Sequence, residues 1–290
     1  MPDRLLVGDY VFEWGSRTYV MGILNLTPDS FSGDGLYGKG VEKILSQAEE
    51  FVEAGVDILD VGGESTRPGS DPVSAEVELD RVIPVIERLT EEFATLISVD
   101  TYKSEVARSA LDAGARIVND VWGLRADREL AAVVQESGAP VILMHNRSDP
   151  SNAAVKENLG GRYVGVEYDD LLQDVKAELQ ESIAIAHQAG IPDSKIILDP
   201  GIGFGKTVSQ NLELLDRSGE IRELGYPILL GPSRKSFIGY TLDLPPEERV
   251  EGTAAAVSVG ITRGADIVRV HDVPELVRVA RMTDALVRRS

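Results

Sequence analysis

The 290-residue chain contains no cysteine, which excludes disulfide bonds and thiolate metal sites. It also lacks an apolar run of membrane-spanning length, and Met1–Arg4 does not start a leader with a basic end and an apolar centre. We therefore expect a cytoplasmic protein. No stretch rich in proline and serine divides the sequence, so we expect a single domain over residues 1–290.

Positive charge is scarce. The chain has 29 Lys and Arg residues against 48 Asp and Glu residues, a formal net charge of −19 at pH 7. This balance argues against a nonspecific nucleic-acid binder, which needs a cationic surface. An anionic substrate would need a local cluster of Arg, Lys and backbone N–H groups. We expect small-molecule substrates and neither a nucleic-acid nor a membrane partner.

Short apolar runs alternate with amphipathic segments along the chain. Eight runs are rich in Ile, Val and Leu without alternating with polar residues, which is typical of parallel strands buried on both faces. These predicted strands are Tyr19–Leu24, Ile58–Val61, Leu96–Val99, Arg116–Val118, Val141–Met144, Lys195–Leu198, Ile228–Leu230 and Ile267–Val270.

Helical periodicity falls between these strands, and several of the helical segments end at a glycine. The predicted helices are Val41–Ala54, Ser74–Leu89, Lys103–Ala113, Arg128–Ser137, Asp169–Ala189, Glu251–Arg263 and Pro274–Arg288. Such alternation fits a doubly wound sheet or a barrel, and eight strands favour a (β/α)8 TIM barrel. Before Tyr19, turn residues Gly8 and Asp9 predict a short N-terminal β-hairpin that could cover the barrel bottom.

Polar or charged residues follow nearly every predicted strand. In a (β/α)8 barrel the carboxyl ends of the strands carry the active site, so we interpret most of this ring as functional. The residues in question are Asn25, Asp60, Asp100, Asn119, Asp120, His145, Asp199, Ser233, Arg234, Lys235, Arg269 and His271.

Six motifs give the chain a specific resemblance to a known family. In order they read MGILNLTPDSFSGDG, DVGGESTRPGS, ISVDTYKSEVARSALDAGARIVNDVWG, ILDPGIGFGKT, GPSRKSFIG and VRVHDV. Together they resemble the successive motifs of the dihydropteroate synthases. That resemblance implies a transferase of folate biosynthesis, which joins 6-hydroxymethyl-7,8-dihydropterin diphosphate to p-aminobenzoate and releases diphosphate.

The resemblance also assigns the pterin pocket and a metal ligand. Asp100, Asn119 and Asp199 would bind the pterin edge, since carboxylates accept from its N–H groups and an amide supplies a mixed partner. Met144 and Phe204 would form the walls of the pocket. Asn25 would be the protein ligand of Mg²⁺, the expected cofactor, because an amide oxygen suits this hard cation.

The remaining assignments concern the diphosphate and p-aminobenzoate. Arg269 and His271 resemble a diphosphate clamp, and Lys235 resembles the cation on the pterin side. The expected catalytic residues are Asp100, Lys235, Arg269 and His271, with Asp100 stabilising positive charge on the pterin methylene after diphosphate leaves. By the same resemblance the diphosphate would also contact Thr66 and Arg67, and p-aminobenzoate would contact Phe31, Pro68 and Ser233.

Two other functions are compatible with parts of this pattern. A pterin-dependent methyltransferase of the corrinoid type would share the barrel and the carboxylates, and a non-catalytic pterin-binding paralogue would share the whole site. Residues 200–207 resemble a phosphate-binding loop ending in Gly-Lys-Thr, but Pro200 occupies the first glycine position, so we reject nucleotide hydrolysis.

The resemblance further implies a homodimer. The apolar faces of the late helices could contribute to its interface through Val257, Ile261, Leu276 and Val279. The segment that follows the fifth predicted strand, from His145 to Gly161, receives no assignment from the sequence.

Overall fold

The N-terminal segment forms a short antiparallel hairpin in the computed structural model, which describes residues 3–26, 37–65, 72–156, 159–164 and 166–288. Strands β1 (Arg4–Val7) and β2 (Tyr10–Glu13) pair around a turn at Gly8. The φ angle of Gly8 is 58°, in the left-handed region that glycine adopts without strain. The predicted hairpin is confirmed.

Eight parallel strands then close into a barrel. Each strand pairs with its neighbour in the ring, and a parallel bridge between Leu198 and Ile228 joins the two ends of the hydrogen-bonded sheet. The strands are β3 (Tyr19–Asn25), β4 (Ile58–Gly62), β5 (Leu96–Asp100), β6 (Ile117–Asp120), β7 (Val141–Met144), then, after a hairpin of β8 (Ala153–Lys156) and β9 (Gly160–Tyr163), β10 (Ile196–Asp199), β11 (Leu229–Leu230) and β12 (Ile267–Val270).

The strands of the barrel alternate with helices that surround it. They are α1 (Tyr37–Ala54), α2 (Ala75–Glu92), α3 (Ser104–Asp112), α4 (Leu130–Ser137), α5 (Leu171–Gln188), α6 (Val208–Asp216), α7 (Ser236–Leu242), α8 (Val250–Thr262) and α9 (Val273–Val287). The predicted (β/α)8 barrel is confirmed, although α6 and α7 are absent from the prediction. Among the described residues, no helix has the length and apolar character needed to cross a membrane.

Side chains on each barrel strand alternate between the interior of the barrel and the layer beneath the helices. In β5, Leu96 belongs to the apolar cluster inside the barrel, whereas Ile97 and Val99 belong to the cluster under the helices. The same alternation directs Ser98 and Asp100 into the barrel. A polar residue at the end of a strand therefore faces the barrel mouth when it lies two or four residues along the strand from an interior apolar residue. We call such a position one of interior parity.

The hairpin closes the opposite end of the barrel. Leu5, Val7 and Phe12 are buried in the same apolar cluster as the first interior residue of the strands. The ring of Phe12 packs edge-on against Tyr19 of β3, with 4.7 Å between the ring centroids. This plug keeps the barrel bottom apolar and leaves the carboxyl ends of the strands as the polar end.

The late helices give a different surface from the one expected for a dimer. Val257, Ile261 and Leu276 are buried against the barrel, with exposures of 1%, 2% and 0%, so these side chains do not form an outer surface. The outer faces of α8 and α9 instead expose Val259 and Met282, at 38% and 61%.

Candidate active site

Strand parity brings most of the predicted site residues into the barrel mouth. Asp60 shares the parity of the interior residue Ile58, and Asn119 shares that of Ile117. Their neighbours in register are also interior, because parallel pairing places Asp100 beside Asn119. The other interior polar or sulfur-containing residues at strand ends are Asn25, Met144, Asp199 and Arg269.

Arg269 lies at the centre of this group between two carboxylates. Its Nε donates to Asp60 Oδ2 at 2.6 Å, and its Nη2 donates to Asp100 Oδ2 at 2.6 Å. Asn119 Nδ2 also donates to Asp60 Oδ2, at 3.2 Å. The guanidinium expected at the diphosphate therefore also holds two buried carboxylates in place.

The carboxylates of this group are buried enough to change their chemistry. Burial raises the pKa of Asp100 to about 7, against the opposing effect of the Arg269 guanidinium. Asp60 has a fully buried side chain, and its Oδ1 has no hydrogen-bond partner among the described residues. This oxygen is closed to solvent and therefore to a ligand, so Asp60 acts in the site by holding Arg269 and Asn119 in place.

A second group of residues faces the first across the mouth. Asp199 is 5% exposed, and its Oδ1 accepts from the backbone N–H of Gly201 at 2.7 Å. Burial raises the pKa of Asp199, and the Lys235 ammonium opposes this. Lys235 Nζ donates to the Ile202 carbonyl and lies 4.4 Å from the centroid of the Phe204 ring. The structure thus brings together Asp199, Phe204 and Lys235.

The amine of Lys235 is less basic than that of an exposed lysine. Burial lowers its pKa to about 8, whereas the Asp199 carboxylate acts in the opposite direction. Its alkyl chain lies close to Gly203, where a Cβ would approach Lys235 Cδ to 2.7 Å. A glycine at this position lets the lysine reach the mouth.

Ser233 and His271 lie next to each other beyond β11 and β12. The His271 backbone N–H donates to Ser233 Oγ at 3.1 Å, and its Nδ1 is also 3.1 Å from that oxygen. Arg234, between Ser233 and Lys235 in sequence, instead turns to Asp272 at the start of α9. Its φ of 56° is unusual for a residue with a side chain.

Asn25, the predicted metal ligand, lies within the described residues. It ends β3 in the interior parity, opposite Gly62 in register. Within the described ranges, no group of three or more His, Cys, Asp or Glu residues could hold a metal ion by itself. A neutral amide oxygen fits Mg²⁺ only when substrate oxygens and water complete the coordination. Four predicted contacts lie outside the described residues, namely Phe31, Thr66, Arg67 and Pro68.

Sequence reasoning gave no role to two groups that the structure makes prominent. Asp60 appears in the ring of strand ends, but its place between Arg269 and Asn119 could be found only by combining parity with register. Lys206 was identified only as the end of a false phosphate loop. It is 2% exposed, and its Nζ contacts the Gly201 and Phe204 carbonyls and His145 Nδ1, each at 2.9 Å.

The comparisons with known proteins agree with this geometry. Residues 21–271 match the family described as pterin binding enzyme. The chain is 49% identical over 284 residues to a dihydropteroate synthase of Clostridium beijerinckii, covering 98% of this chain and 99% of the relative. It is 50% identical to the dihydropteroate synthase of Bacillus subtilis, covering 96% and 91%.

A solved structure extends the likeness to the fold. The dihydropteroate synthase of Clostridium difficile, crystallised in the presence of pteroic acid, superposes with a TM-score of 0.87. It is 48% identical to this chain, and the match covers 96% of this chain and 100% of that one.

Proposed function

The chain belongs to the pterin-binding enzymes, and within them to the dihydropteroate synthases, and from this premise we propose how its barrel mouth works. It is a transferase that joins 6-hydroxymethyl-7,8-dihydropterin diphosphate to p-aminobenzoate, giving 7,8-dihydropteroate and diphosphate in folate biosynthesis. Relatives about half identical over nearly the whole chain favour this reaction over a methyltransferase or a non-catalytic paralogue.

The observation that carries the proposal is the hydrogen-bonded group of Arg269, Asp60, Asp100 and Asn119 at the barrel mouth. A charged group is stable inside a barrel only when its partners are fixed and its lone pairs are satisfied. Here Arg269 fixes both carboxylates, and one buried oxygen of Asp60 still lacks a donor among the described residues. A flat heterocycle with several N–H groups on one edge would meet the more accessible members of this group, the Asp100 carboxylate and the Asn119 amide.

In the proposed complex the pterin lies between the two groups of the mouth. Asp199 accepts from the amino-pyrimidine edge, while Asn119 offers both a donor and an acceptor to the same ring system. Asp100 lies on the side that the Arg269 guanidinium fixes. Met144, which is 3% exposed, and Phe204 form the walls of the pocket.

The cations of the mouth would bind the diphosphate. Lys235 directly precedes α7, Arg269 lies near the end of β12, and His271 lies just beyond that strand. Loops after the last two strands form the phosphate site in many barrels of this kind. Thr66 and Arg67, which follow β4 in sequence, would add contacts, and together these groups would give an acidic chain a local site for an anion.

The chemical step follows from this placement. The bond between the pterin methylene and the diphosphate oxygen breaks, and the oxygen leaves with the electron pair. Positive charge then develops on the methylene, and the Asp100 carboxylate stabilises it. The amine nitrogen of p-aminobenzoate attacks that carbon and loses one proton, which gives 7,8-dihydropteroate. We propose this dissociative order, with p-aminobenzoate held by Phe31, Pro68 and Ser233.

A bound Mg²⁺ would neutralise charge on the leaving diphosphate. Asn25 is the residue that would hold it, because its amide ends a strand at the mouth and suits a cation that retains most of its water.

We also propose that the enzyme works as a homodimer in the cytoplasm. The exposed apolar side chains of α8 and α9, including Val259 and Met282, support a dimer surface there.

The reaction is tested by measuring diphosphate release from the purified chain. Release should require the pterin diphosphate, p-aminobenzoate and Mg²⁺ together, and dihydropteroate should form in equal amount. Release of diphosphate without the arylamine, at the same rate, would mean that the site hydrolyses its substrate and would contradict the proposed transfer.

A further inference from the structure

Lys206 is a buried lysine that the proposed mechanism does not use. It ends the segment 200–207, here called the Lys206 loop, which runs from β10 to α6. Its Nζ contacts two backbone carbonyls of the same loop, Gly201 and Phe204, each at 2.9 Å. A lysine at the end of a phosphate-binding loop points outward to its ligand, whereas this one points back into the protein.

The third contact of the Lys206 ammonium is His145. Burial lowers the pKa of His145 to about 3, so its ring is neutral and carries one proton. Its Nε2 lies 3.2 Å from the carboxylate of Glu178 but has no hydrogen-bond partner among the described residues. A protonated Lys206 can only donate, so His145 Nδ1 accepts from Lys206 Nζ at 2.9 Å.

Glu178 is itself fixed as an anion. Burial alone would raise its pKa, but the contacts with His145 and Arg147 outweigh burial and hold the pKa at about 2. Arg125 and Arg147 both donate to this carboxylate. Glu178 therefore places a fixed negative charge 3.2 Å from His145 Nε2, while the other ring nitrogen contacts Lys206.

The Lys206 ammonium depends on these acceptors. Burial lowers the pKa of Lys206 well below its usual value, and the Asp199 carboxylate acts in the opposite direction. Three N–H groups meet three acceptors, which is full satisfaction for an ammonium. Loss of one acceptor would leave a buried N–H without a partner, an unfavourable arrangement.

The Lys206 loop carries most of one side of the pterin pocket. The Gly201 N–H holds Asp199, the Ile202 carbonyl holds Lys235, and Phe204 lies beside the Lys235 ammonium. Lys206 binds the carbonyls on either side of the Ile202–Gly203 turn. Fixing these two carbonyls fixes the three groups that face the ligand.

The loop also packs directly on the chain after β7. Gly201 has a φ of 74°, and a Cβ there would lie 1.9 Å from the His145 carbonyl oxygen. The loop and the His145 backbone are thus in contact without an intervening side chain. Lys206 ties the same two segments together through their side chains.

We propose that Lys206, held by His145, is a positioning residue that orders the pterin-binding side of the barrel mouth. The proposal rests on the proposed function, in which Asp199, Phe204 and Lys235 contact the pterin diphosphate. It gives roles to a lysine and a histidine that never reach the reacting atoms. It also predicts that their loss affects one substrate more than the other.

The test uses three variants of the full chain. Lys206→Met removes the ammonium, and His145→Leu removes the acceptor. His145→Asn keeps an acceptor close to the position of Nδ1 and is the matched control for His145→Leu. Ile117→Ala, in the apolar cluster at the barrel bottom, controls for a loss of stability far from the mouth. Melting temperature and KM for each substrate are measured for every variant.

We expect Lys206→Met and His145→Leu to raise KM for the pterin diphosphate about tenfold or more, because the pocket must be reordered on binding. KM for p-aminobenzoate, at saturating pterin diphosphate, should stay within about twofold of the wild-type value. His145→Asn should recover most of the loss. Ile117→Ala should lower the melting temperature and leave both KM values unchanged.

Several results would overturn the inference. One is a Lys206→Met variant that folds and keeps the wild-type KM for the pterin diphosphate. Another is an equal rise in KM for both substrates. If Lys206→Met does not fold, the comparison of His145→Leu with His145→Asn provides the test. Equal KM values for the pterin diphosphate in these two variants would contradict the proposal. Asp199→Asn in the same assay separates a failure of this inference from a failure of the proposed function. If it leaves KM for the pterin diphosphate unchanged, the proposed pocket itself is wrong.

Discussion

Arg269 donates from Nε to Asp60 at 2.6 Å, deep in the barrel mouth, although these two residues lie 209 positions apart in sequence. The contact joins β12 to β4 across the intervening strand β3. It is possible because both residues have the interior parity of their strands. The remaining guanidinium contact, to Asp100, extends the same group to β5.

Asp60→Asn should weaken both folding and pterin binding. The amide would turn an acceptor into a donor beside Arg269 or Asn119, so we expect a loss of about 1–3 kcal/mol in the free energy of unfolding, the range for an unsatisfied buried group. Pterin diphosphate affinity should fall by about tenfold or more, because Arg269 loses one of its anchors. Urea unfolding and titration calorimetry measure the two effects.

Asp57→Asn is the control for Asp60→Asn. Asp57 is a carboxylate at the other end of the same strand, where it pairs with Arg17 and accepts from the Val20 backbone N–H. Its loss should affect stability alone. Equal pterin affinity in wild type and Asp60→Asn would remove Asp60 from the binding site.

Pterin binding should depend on pH through Asp100. Its pKa is about 7 in the empty mouth, because burial raises it. Protonation below that value removes the acceptor charge, so affinity should fall as the pH drops through about 7. Burial lowers the pKa of Lys235 to about 8, so this amine loses its charge at higher pH. Tightest binding is expected between these values.

The stability of the empty protein should show the opposite trend. A carboxyl with a raised pKa contributes its stability fully below its ordinary pKa and loses that contribution as the pH rises through about 7.

The pH dependence of pterin affinity is measured by titration calorimetry with 6-hydroxymethyl-7,8-dihydropterin. This ligand carries no phosphate, so the titration of the protein groups is isolated. Affinity that does not change with pH in wild type, or the same pH dependence in Asp100→Asn, would contradict the assignment.

Mg²⁺ should bind weakly to the free enzyme and tightly with diphosphate. Asn25 offers one neutral oxygen, so substrate oxygens and water must complete an octahedral shell. Titration of Mg²⁺ into the protein alone should give little heat, and addition of diphosphate should restore tight binding. Asn25→Ala should weaken the second titration. Tight Mg²⁺ binding to the protein without diphosphate would show that another ligand set exists.

The two substrates should bind in order. The proposed pterin contacts Asp100, Asn119 and Asp199 lie at or next to the ends of barrel strands, so their pocket is formed before p-aminobenzoate arrives. Pterin diphosphate should therefore bind the empty enzyme, and p-aminobenzoate should bind only after it. Phe31→Ala should raise KM for p-aminobenzoate and leave pterin affinity nearly unchanged. Equal p-aminobenzoate affinity with and without diphosphate and Mg²⁺ would contradict this order.

The barrel could be predicted because its strands are short, apolar and separated by helical periodicity. Each predicted strand matches an observed one to within two residues at either end. Helix α6 was missed, although Thr207 and Gln210 form a capping box that signals its start. The hairpin of β8 and β9 was missed because its sequence has no alternating apolar pattern.

The site was predictable as a set of residues and not as a set of contacts. Strand ends identified Asp100, Asn119 and Asp199, and the family resemblance gave them roles. Which cation meets which carboxylate depends on register and parity around a closed ring, and these follow from three-dimensional pairing. For the same reason the sequence placed Lys206 only in a loop and did not predict that its amine turns inward to His145.

Asp199→Asn tests the central claim, that the strand-end carboxylates and amide bind the pterin. Asparagine can still accept from the Gly201 N–H, so the loop should remain in place, but its Nδ2 would present N–H groups to the N–H edge of the ligand. Titration calorimetry should show pterin diphosphate affinity reduced by about 1–3 kcal/mol, the range for an unsatisfied buried group. An Asp199→Asn variant that folds and binds pterin diphosphate as tightly as wild type would contradict the account.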